Sequence, residues 1–371
     1  MATYLTPGVS VEELGTGARP IQFVGASTAA FLGRAPDAAH LGSPRIVTSW
    51  PQYLRTFDAQ GVGGSTLGLA VHGFFLNGGS RCYVVNLATD DADLAPGLAA
   101  LEAVDDANLL AAPGRTTRSD REALIAHCQA QENRFAILDG TNEALDDPRR
   151  HVDPADLAPP ITKHGHAAVY LPWLVVQDPL DPSAQVVAPP SGAVAGIYAR
   201  VDTTRGVHKA PANEVVRGAL DLTHEYTDDE QDVLNPKGVN AIRVFTGKGI
   251  LVWGARTRAP MGSEWRYVNV RRLASVIETS IQRSLQWVVF EPNDGNLWRV
   301  VKHTVSIFLQ VLWREGGLMG TTPEDAFFVK CDEETNPPEA VDAGQLTLVI
   351  GLAMVKPAEF TIFRVRKIAA T

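Results

Sequence analysis

The sequence predicts a two-domain protomer: an α/β layer in the first half, an α+β layer in the second, and an extended strand arm at each end. Three observations carry this. Strand-like and helix-like stretches alternate from Phe23 to Val176, which implies a largely parallel sheet. After Asn235-Pro236 the pattern changes to hairpin signals and two long amphipathic periods. Two short runs of β character, Met1–Glu13 and Phe360–Lys367, stand apart from everything else.

Taken in order, Phe23–Leu32 and Arg45–Thr48 read as strands. Ser65–Leu76 reads as a helix, with Leu67, Val71, Phe74 and Phe75 on one side and Asn77-Gly78-Gly79 as its stop. Arg81–Leu87 is a buried strand, followed by a helical stretch near Leu94–Val104. Asn108–Ala112 and Phe135–Leu138 are short apolar strands flanking a helix over Arg118–Glu132. Ala167–Val176 is a strand interrupted at Pro172, and Ala188–Pro190 opens a helix that reaches about Arg200. Asp221–Asp232 is acidic and turn-like. Ala241–Phe245 and Ile250–Trp253 form a hairpin across Thr246–Gly249, and Arg266–Val270 reads as a third strand. Two amphipathic helices follow, one through Leu273, Val276, Ile277, Ile281, Leu285 and Val288. The other runs through Leu297, Val301, Val305, Phe308 and Leu312 to Gly316-Gly317. Strands at Ala326–Lys330, Gln345–Val355 and Glu359–Lys367 close the chain.

The two ends invite pairing. Tyr4, Val9 and Val11 surround a Pro7-Gly8 turn, in which proline fixes one φ angle and glycine frees the next. Phe360, Ile362, Phe363 and Val365 lie beside Arg364, Arg366 and Lys367. Unblunted terminal strands suit a protein that polymerises by strand exchange. The alternative is that both termini tuck into their own fold.

With 371 residues, 45% hydrophobic and 20% charged, the chain can bury a sizeable core. A net charge of −9 argues against nucleic acid as a partner. The three cysteines, Cys82, Cys128 and Cys331, have no framework spacing and read as free thiols in a reducing compartment. The N-terminus carries no secretion pattern, and Ile21–Gly33 is too short and too broken to span a bilayer. The expectation is a protein made in the cytoplasm without direct membrane insertion. Charge is uneven: Val84–Pro160 nets −9 and Gly238–Gly317 nets +6.

No stretch makes a persuasive active site. Gly61–Gly68 (GVGGSTLG) lacks the Gly-Lys-Ser/Thr ending of a phosphate loop and does not fit GxSxG. It reads as a turn into a helix starting at Ser65. Gly247-Lys248-Gly249 is a hairpin turn. His164 and His166 lack further metal ligands at a telling spacing, Asp178 and Asp181 being weak candidates. His127 and Cys128 diverge on a helix. The seven tryptophans read as core or interface anchors. No catalytic residue, metal or cofactor is expected.

Several segments together resemble contractile tail sheath proteins of phages and phage-like injection systems. They are Tyr4-Leu5-Thr6-Pro7-Gly8-Val9 with Glu12-Glu13; Thr28–Gly33; and Phe75-Leu76-Asn77-Gly78-Gly79 before Cys82–Val85. Pro189–Gly192 with Gly196, and Arg200 through Gly206-Val207 to Ala210–Asn213, match the family's central helix and loop. Asn235 through Gly238–Asn240 and Ile242-Arg243, then Val252–Thr257, Trp265–Arg272 and Phe290–Asn293, complete the pattern, which covers nearly the whole chain. Its length is similar to the compact sheaths of extracellular injection particles and R-type bacteriocins. One continuous chain, unlike the split sheath of type VI secretion, implies no ATPase-driven recycling.

The resemblance implies a non-enzymatic structural subunit. Such subunits form six-fold rings stacked helically around an inner tube, joined to baseplate and cap proteins and sometimes to paralogous sheaths. Contraction drives the tube forward by a switch between two packings. The implied division is an inner domain from Met1–Pro20 and Asn235–Thr371, with Ile21–Leu234 inserted as the outer domain. The basic excess then lies inward, and Arg299, Lys302 and Arg314 are the candidates to face an acidic tube. The competing readings are an α/β enzyme, perhaps a hydrolase using Ser65 or a nucleotide-binding protein, and a non-contractile tail or cap protein.

Overall fold

The computed structural model describes residues 20–142 and 160–359. The first half runs β1 (Ala29–Gly33), β2 (Arg45–Val47), α1 (Trp50–Phe57), α2 (Thr66–Leu76), β3 (Cys82–Asn86), α3 (Ala95–Leu101), β4 (Leu109–Ala111), α4 (Arg118–Gln131) and β5 (Phe135–Asp139). Then come β6 (Ala167–Leu171), β7 (Leu174–Gln177), β8 (Gln185–Ala188), α5 (Ser191–Arg205), β9 (Glu214–Val215), β10 (Ala219–Leu222) and α6 (Asp228–Leu234). The remainder is β11 (Val239–Phe245), β12 (Gly249–Val252), α7 (Val268–Ser284), α8 (Gly295–Arg314), α9 (Pro323–Ala326), β13 (Phe327–Lys330), α10 (Pro338–Asp342) and β14 (Val349–Leu352).

Nine strands form one sheet, ordered β2-β3-β1-β4-β5-β6-β11-β12-β9. Its six central strands run parallel, from β3 to β11, with antiparallel strands at both margins. Successive side chains point to opposite faces, and helices cover both. Ala29 and Phe31 face the core of α2 and α5, with Phe74, Val194 and Tyr198. Ala30 and Leu32 face the core of α3 and α4, with Leu98 and Leu124. The α/β expectation therefore holds, and the central strands β1, β4, β5 and β6 are buried along their whole length because neither face meets water.

The Asn77-Gly78-Gly79 stop has a packing reason. Asn77 is buried and donates from Nδ2 to the carbonyls of Gly73 (3.0 Å) and Arg217 (3.1 Å), while its Oδ1 accepts from Arg217 N–H (2.9 Å). Gly78 has φ +115°, and a Cβ on Gly79 would lie 2.2 Å from the Phe74 ring. The α2–α5 crossing is equally tight: a Cβ on Gly192 would fall 2.2 Å from the Ala70 carbonyl oxygen.

The second layer packs α7 on α8 through Leu273, Val276, Ile277 and Ile281 against Val305, Phe308, Leu309 and Leu312. Strands β13 and β14 pair antiparallel beside it. The segment before β1 belongs here too. Gln22 and Val24 N–H groups donate to Ser284 Oγ (3.2 Å) and Ser280 Oγ (3.0 Å), and the Phe23 and Phe308 rings meet at 6.2 Å.

Arg272 joins the layers. Its guanidinium holds Asp202 with two bonds (2.9 and 2.5 Å), donates to the Ala26 carbonyl, and lies 4.8 Å over the Tyr198 ring. Tyr198 in turn shares a 2.6 Å hydroxyl contact with Tyr170 on β6. The Arg272 and Asp202 side chains are only 3% and 4% exposed. Burial works against the arginine's charge, and the facing carboxylate more than offsets it.

Several expectations are corrected. The sheet does not break at Asn235-Pro236: β11 pairs parallel with β6 across that point, so 239–252 belong with the α/β layer. Ile21–Ala26 belong with the helical layer rather than the inserted one. Residues 266–270 are not a strand; α7 begins at Val268 and is buried on every side there, so its pattern mimics alternation. The acidic stretch before Asn235 holds a helix, started by a capping box between Thr227 and Glu230. At Pro172 the chain leaves the main sheet, and β7 pairs with β8 and β10 in a separate one.

Candidate assembly surfaces

The residues expected to pair between subunits lie at the two ends of the chain. Tyr4, Pro7, Gly8, Val9 and Val11, and Phe360, Ile362, Phe363 and Val365, lie outside the described residues. Their points of attachment are visible. Pro20, Ile21 and Phe23 line one wall of a groove of about 410 Å³, whose other wall is Ile307, Phe308 and Val311 of α8. Phe23, Ile307 and Val311 are each about half exposed. At the other end, Glu359 is held by Arg256, with Nε–Oε1 2.9 Å and Nη2–Oε2 2.5 Å. The two-stranded β13–β14 sheet packs on the same core as α8, with Phe328 and Val349 exposed on it.

Arg299, Lys302 and Arg314 are all exposed on α8. Arg299 donates to Asn296 Oδ1 at 3.1 Å. Leu297, Val301, Val305, Phe308, Leu309 and Leu312 take the opposite, buried face. The helix starts cleanly because Asp294 Oδ1 accepts from the N–H groups of Asn296 and Leu297, both at 2.9 Å. The wider basic excess has another cause. Arg243 pairs with Asp228, Arg256 with Glu359, Arg271 with Glu278 and Arg272 with Asp202. Arg266 and Arg283 donate to the carbonyls of Pro236 and Asp105. Much of the +6 is thus built into the fold. The apolar strip of Ile307 and Val311 beside the exposed cations went unread in the sequence, because it flanks the buried stripe and continues its period.

Ser65, Asp139 and Cys128 are each tied into the packing of the α/β layer. Ser65 Oγ caps α2, accepting from Gly68 N–H at 3.0 Å. Asp139, at the end of β5, is buried under Gly114 N–H (2.9 Å), Ser191 N–H (2.8 Å) and Ser191 Oγ (2.9 Å). Burial pushes its carboxyl up to about 6 against those bonds. Cys128 is buried, which pushes its thiol up to about 12. Among the described residues no set of three His, Cys, Asp or Glu side chains is placed to hold a metal ion. No described helix is long and apolar enough to cross a membrane.

His164 and His166 differ in burial. His164 is exposed, whereas His166 is buried with Nδ1 3.2 Å from the Arg134 carbonyl. Burial and then Arg271 push His166 down to about 4; burial and then Arg134 do the same to His127. Against an unfolded value near 6.5, both rings stabilise the fold above about pH 6.5 and lose that contribution as pH falls toward 4. Asp139 works oppositely, favouring the fold below about pH 4 and losing its contribution by about 6. Two histidines outweigh one carboxyl. The melting temperature is expected to fall by several degrees between pH 7 and pH 4.5, and His127→Gln/His166→Gln should flatten that slope. A flat profile in the unaltered chain would contradict this.

Comparison with known proteins identifies the family. The family described as phage tail sheath protein central domain matches residues 88–258, and the phage tail sheath C-terminal domain matches residues 261–368. The sheath complex of an extracellular contractile injection system, PVC, in the contracted state superposes with a TM-score of 0.83 at 32% identity. That match covers 99% of this chain and 98% of the other. The anti-feeding prophage (AFP) helical sheath in the contracted state gives 0.80 at 32% identity, covering 98% and 99%. The tail sheath protein of Vibrio phage KVP40 is 27% identical over 186 residues, 49% of this chain and 26% of the phage protein. The chain thus matches about a quarter of that phage relative's length. The class defined is the structural subunit of a contractile tail-like sheath. This chain belongs to the phage tail sheath family.

Proposed function

We propose that this chain is the sheath subunit of an extracellular contractile injection particle or related phage-tail-like particle. The supporting observation is the end-to-end likeness to the PVC and AFP sheaths, with nearly complete coverage on both sides. Copies polymerise as stacked six-fold rings around an inner tube. The terminal strands link subunits by adding to a neighbour's sheet; β13–β14, two-stranded among the described residues, suits that addition. Baseplate and cap proteins bind at the two ends of the polymer, and assembly takes place in the bacterial cytoplasm. The layer made of residues 20–26 and 268–359 faces the tube, and the nine-stranded layer lies outward. Contraction needs no nucleotide hydrolysis, because the subunits move to a better packing.

Purified protein examined by negative-stain microscopy should show striated cylinders. Uniform monomers with a ligand-dependent melting shift would overturn the reading. The tube contact has its own test. Exposed ion pairs contribute about 0–1 kcal/mol each, weak enough to release on contraction yet repeated over many subunits. Arg299→Glu/Lys302→Glu is expected to leave monomer stability within about 0.5 kcal/mol and to yield cylinders without tubes. Normal tube filling would assign the contact to another face.

A further inference from the structure

The last described stretch of the chain is held in an unusual way. After β14, Ala353 exchanges backbone bonds with Met319 and Ala326, its carbonyl accepting at 2.7 Å and its N–H donating at 2.9 Å. Beyond Met354, residues 355–359 have no regular secondary structure. Side chains from elsewhere hold them instead. Asn269 Nδ2 donates to the Val355 carbonyl at 2.9 Å and to the His208 carbonyl at 2.8 Å. Glu359 receives Arg256 Nε on both carboxylate oxygens (2.9 and 3.1 Å), Arg256 Nη2 at 2.5 Å and the Tyr267 hydroxyl at 3.3 Å.

Arg256 is itself anchored in the nine-stranded layer. Its N–H donates to Asn240 Oδ1 (2.7 Å), its carbonyl accepts from Asn240 Nδ2 (2.8 Å), and Nη1 donates to the Asn235 carbonyl (2.7 Å). Asn240 is fully buried on β11. The ion pair spans 103 residues of sequence, with side chains 7% and 16% exposed. A two-pronged arginine–carboxylate pair, shielded from water and fixed at its base, resists being pulled apart in a way that a solvated pair does not.

We infer that Arg256 and Glu359 form a mechanical stop that ties the departing C-terminal segment to the central sheet. The inference rests on the reading that this segment links one subunit to the next. A linker under tension would peel the irregular 355–359 stretch off the body one contact at a time. The clamp instead delivers the pull into β11, where strand bonds share it. Arg256 and Glu359 are positioning residues in this role, setting where the linker leaves and how far it can be drawn.

Optical-tweezer pulling on the full-length monomer tests the stop without requiring assembly, so a failure to form cylinders would leave the result standing. One handle is placed at Val62→Cys and the other at the C-terminus; the control geometry uses Val62→Cys and Val187→Cys. At constant force, Glu359→Gln is expected to shorten the lifetime before the first small extension by about tenfold or more in the C-terminal geometry. The control geometry should be unchanged. Should Glu359→Gln fail to fold, Arg256→Lys keeps the charge, loses the two-pronged bond and must give the same selective loss. An unchanged lifetime, or an equal drop in both geometries, would overturn the proposal, because the pair would then only stabilise the fold in general.

Discussion

Deleting Met1–Glu13 is expected to abolish cylinder formation while leaving a folded monomer. Among the described residues the three cores draw their buried side chains from 26–329, which is the body expected to stay folded. The deletion ends short of Pro20 and Ile21, where the chain meets α8. What it removes is the segment with Tyr4, Val9 and Val11, whose sequence predicts a strand. Added to a neighbour's sheet, such a strand contributes on the order of several kcal/mol through apolar burial and backbone hydrogen bonds. In the proposed rings, where every subunit would give such a strand, its loss is expected to leave subunits with no continuous linkage. Sedimentation should find monomers with the parent melting temperature, and microscopy should find no cylinders. Normal, contractile cylinders from the truncated chain would remove the N-terminal arm from the linkage.

The largest expected effect on stability lies at the Arg272–Asp202 pair. Asp202→Ala leaves a buried guanidinium whose remaining contacts are the Ala26 carbonyl and the Tyr198 ring. Breaking a buried pair from one side costs about 3–5 kcal/mol, a melting shift on the order of 5 °C for a cooperative unit of this size. Replacing both partners with apolar residues, Arg272→Met/Asp202→Leu, should recover most of it, since the stranded charge is then gone. Calorimetry of the two variants checks both statements. A small effect of Asp202→Ala would mean that water or a shifted backbone compensates the arginine.

Local pattern carried a sequence reading only as far as local physics reaches. The α7 and α8 periods and the Asn77-Gly78-Gly79 stop were legible because each is fixed by neighbours within a few turns. Helix α1 was missed: it is short and carries Pro51 in its first turn, where proline fits but reads as a breaker. Helix α6 was misread because its acids look like a solvated loop until Thr227 and Glu230 are seen to cap one another. The parallel pairing of β6 with β11 joins segments 70 residues apart, and nothing local announces it. Among candidate surfaces, the exposure of Arg299, Lys302 and Arg314 followed from the α8 period. The argument from net charge was weaker than it looked, because most of those arginines turned out to be internal ties.

The unbroken sheet has a consequence for how the molecule comes apart. The two family domains meet between residues 258 and 261, yet Val268 at the start of α7 sits in the same core as β11 and β12. Neither part can loosen without exposing the other's interior, so the halves should share one cooperative unfolding event rather than behaving as separate foldons. A protein that must store strain in a polymer gains from this: the body yields all at once or not at all, and deformation is confined to the connections between bodies.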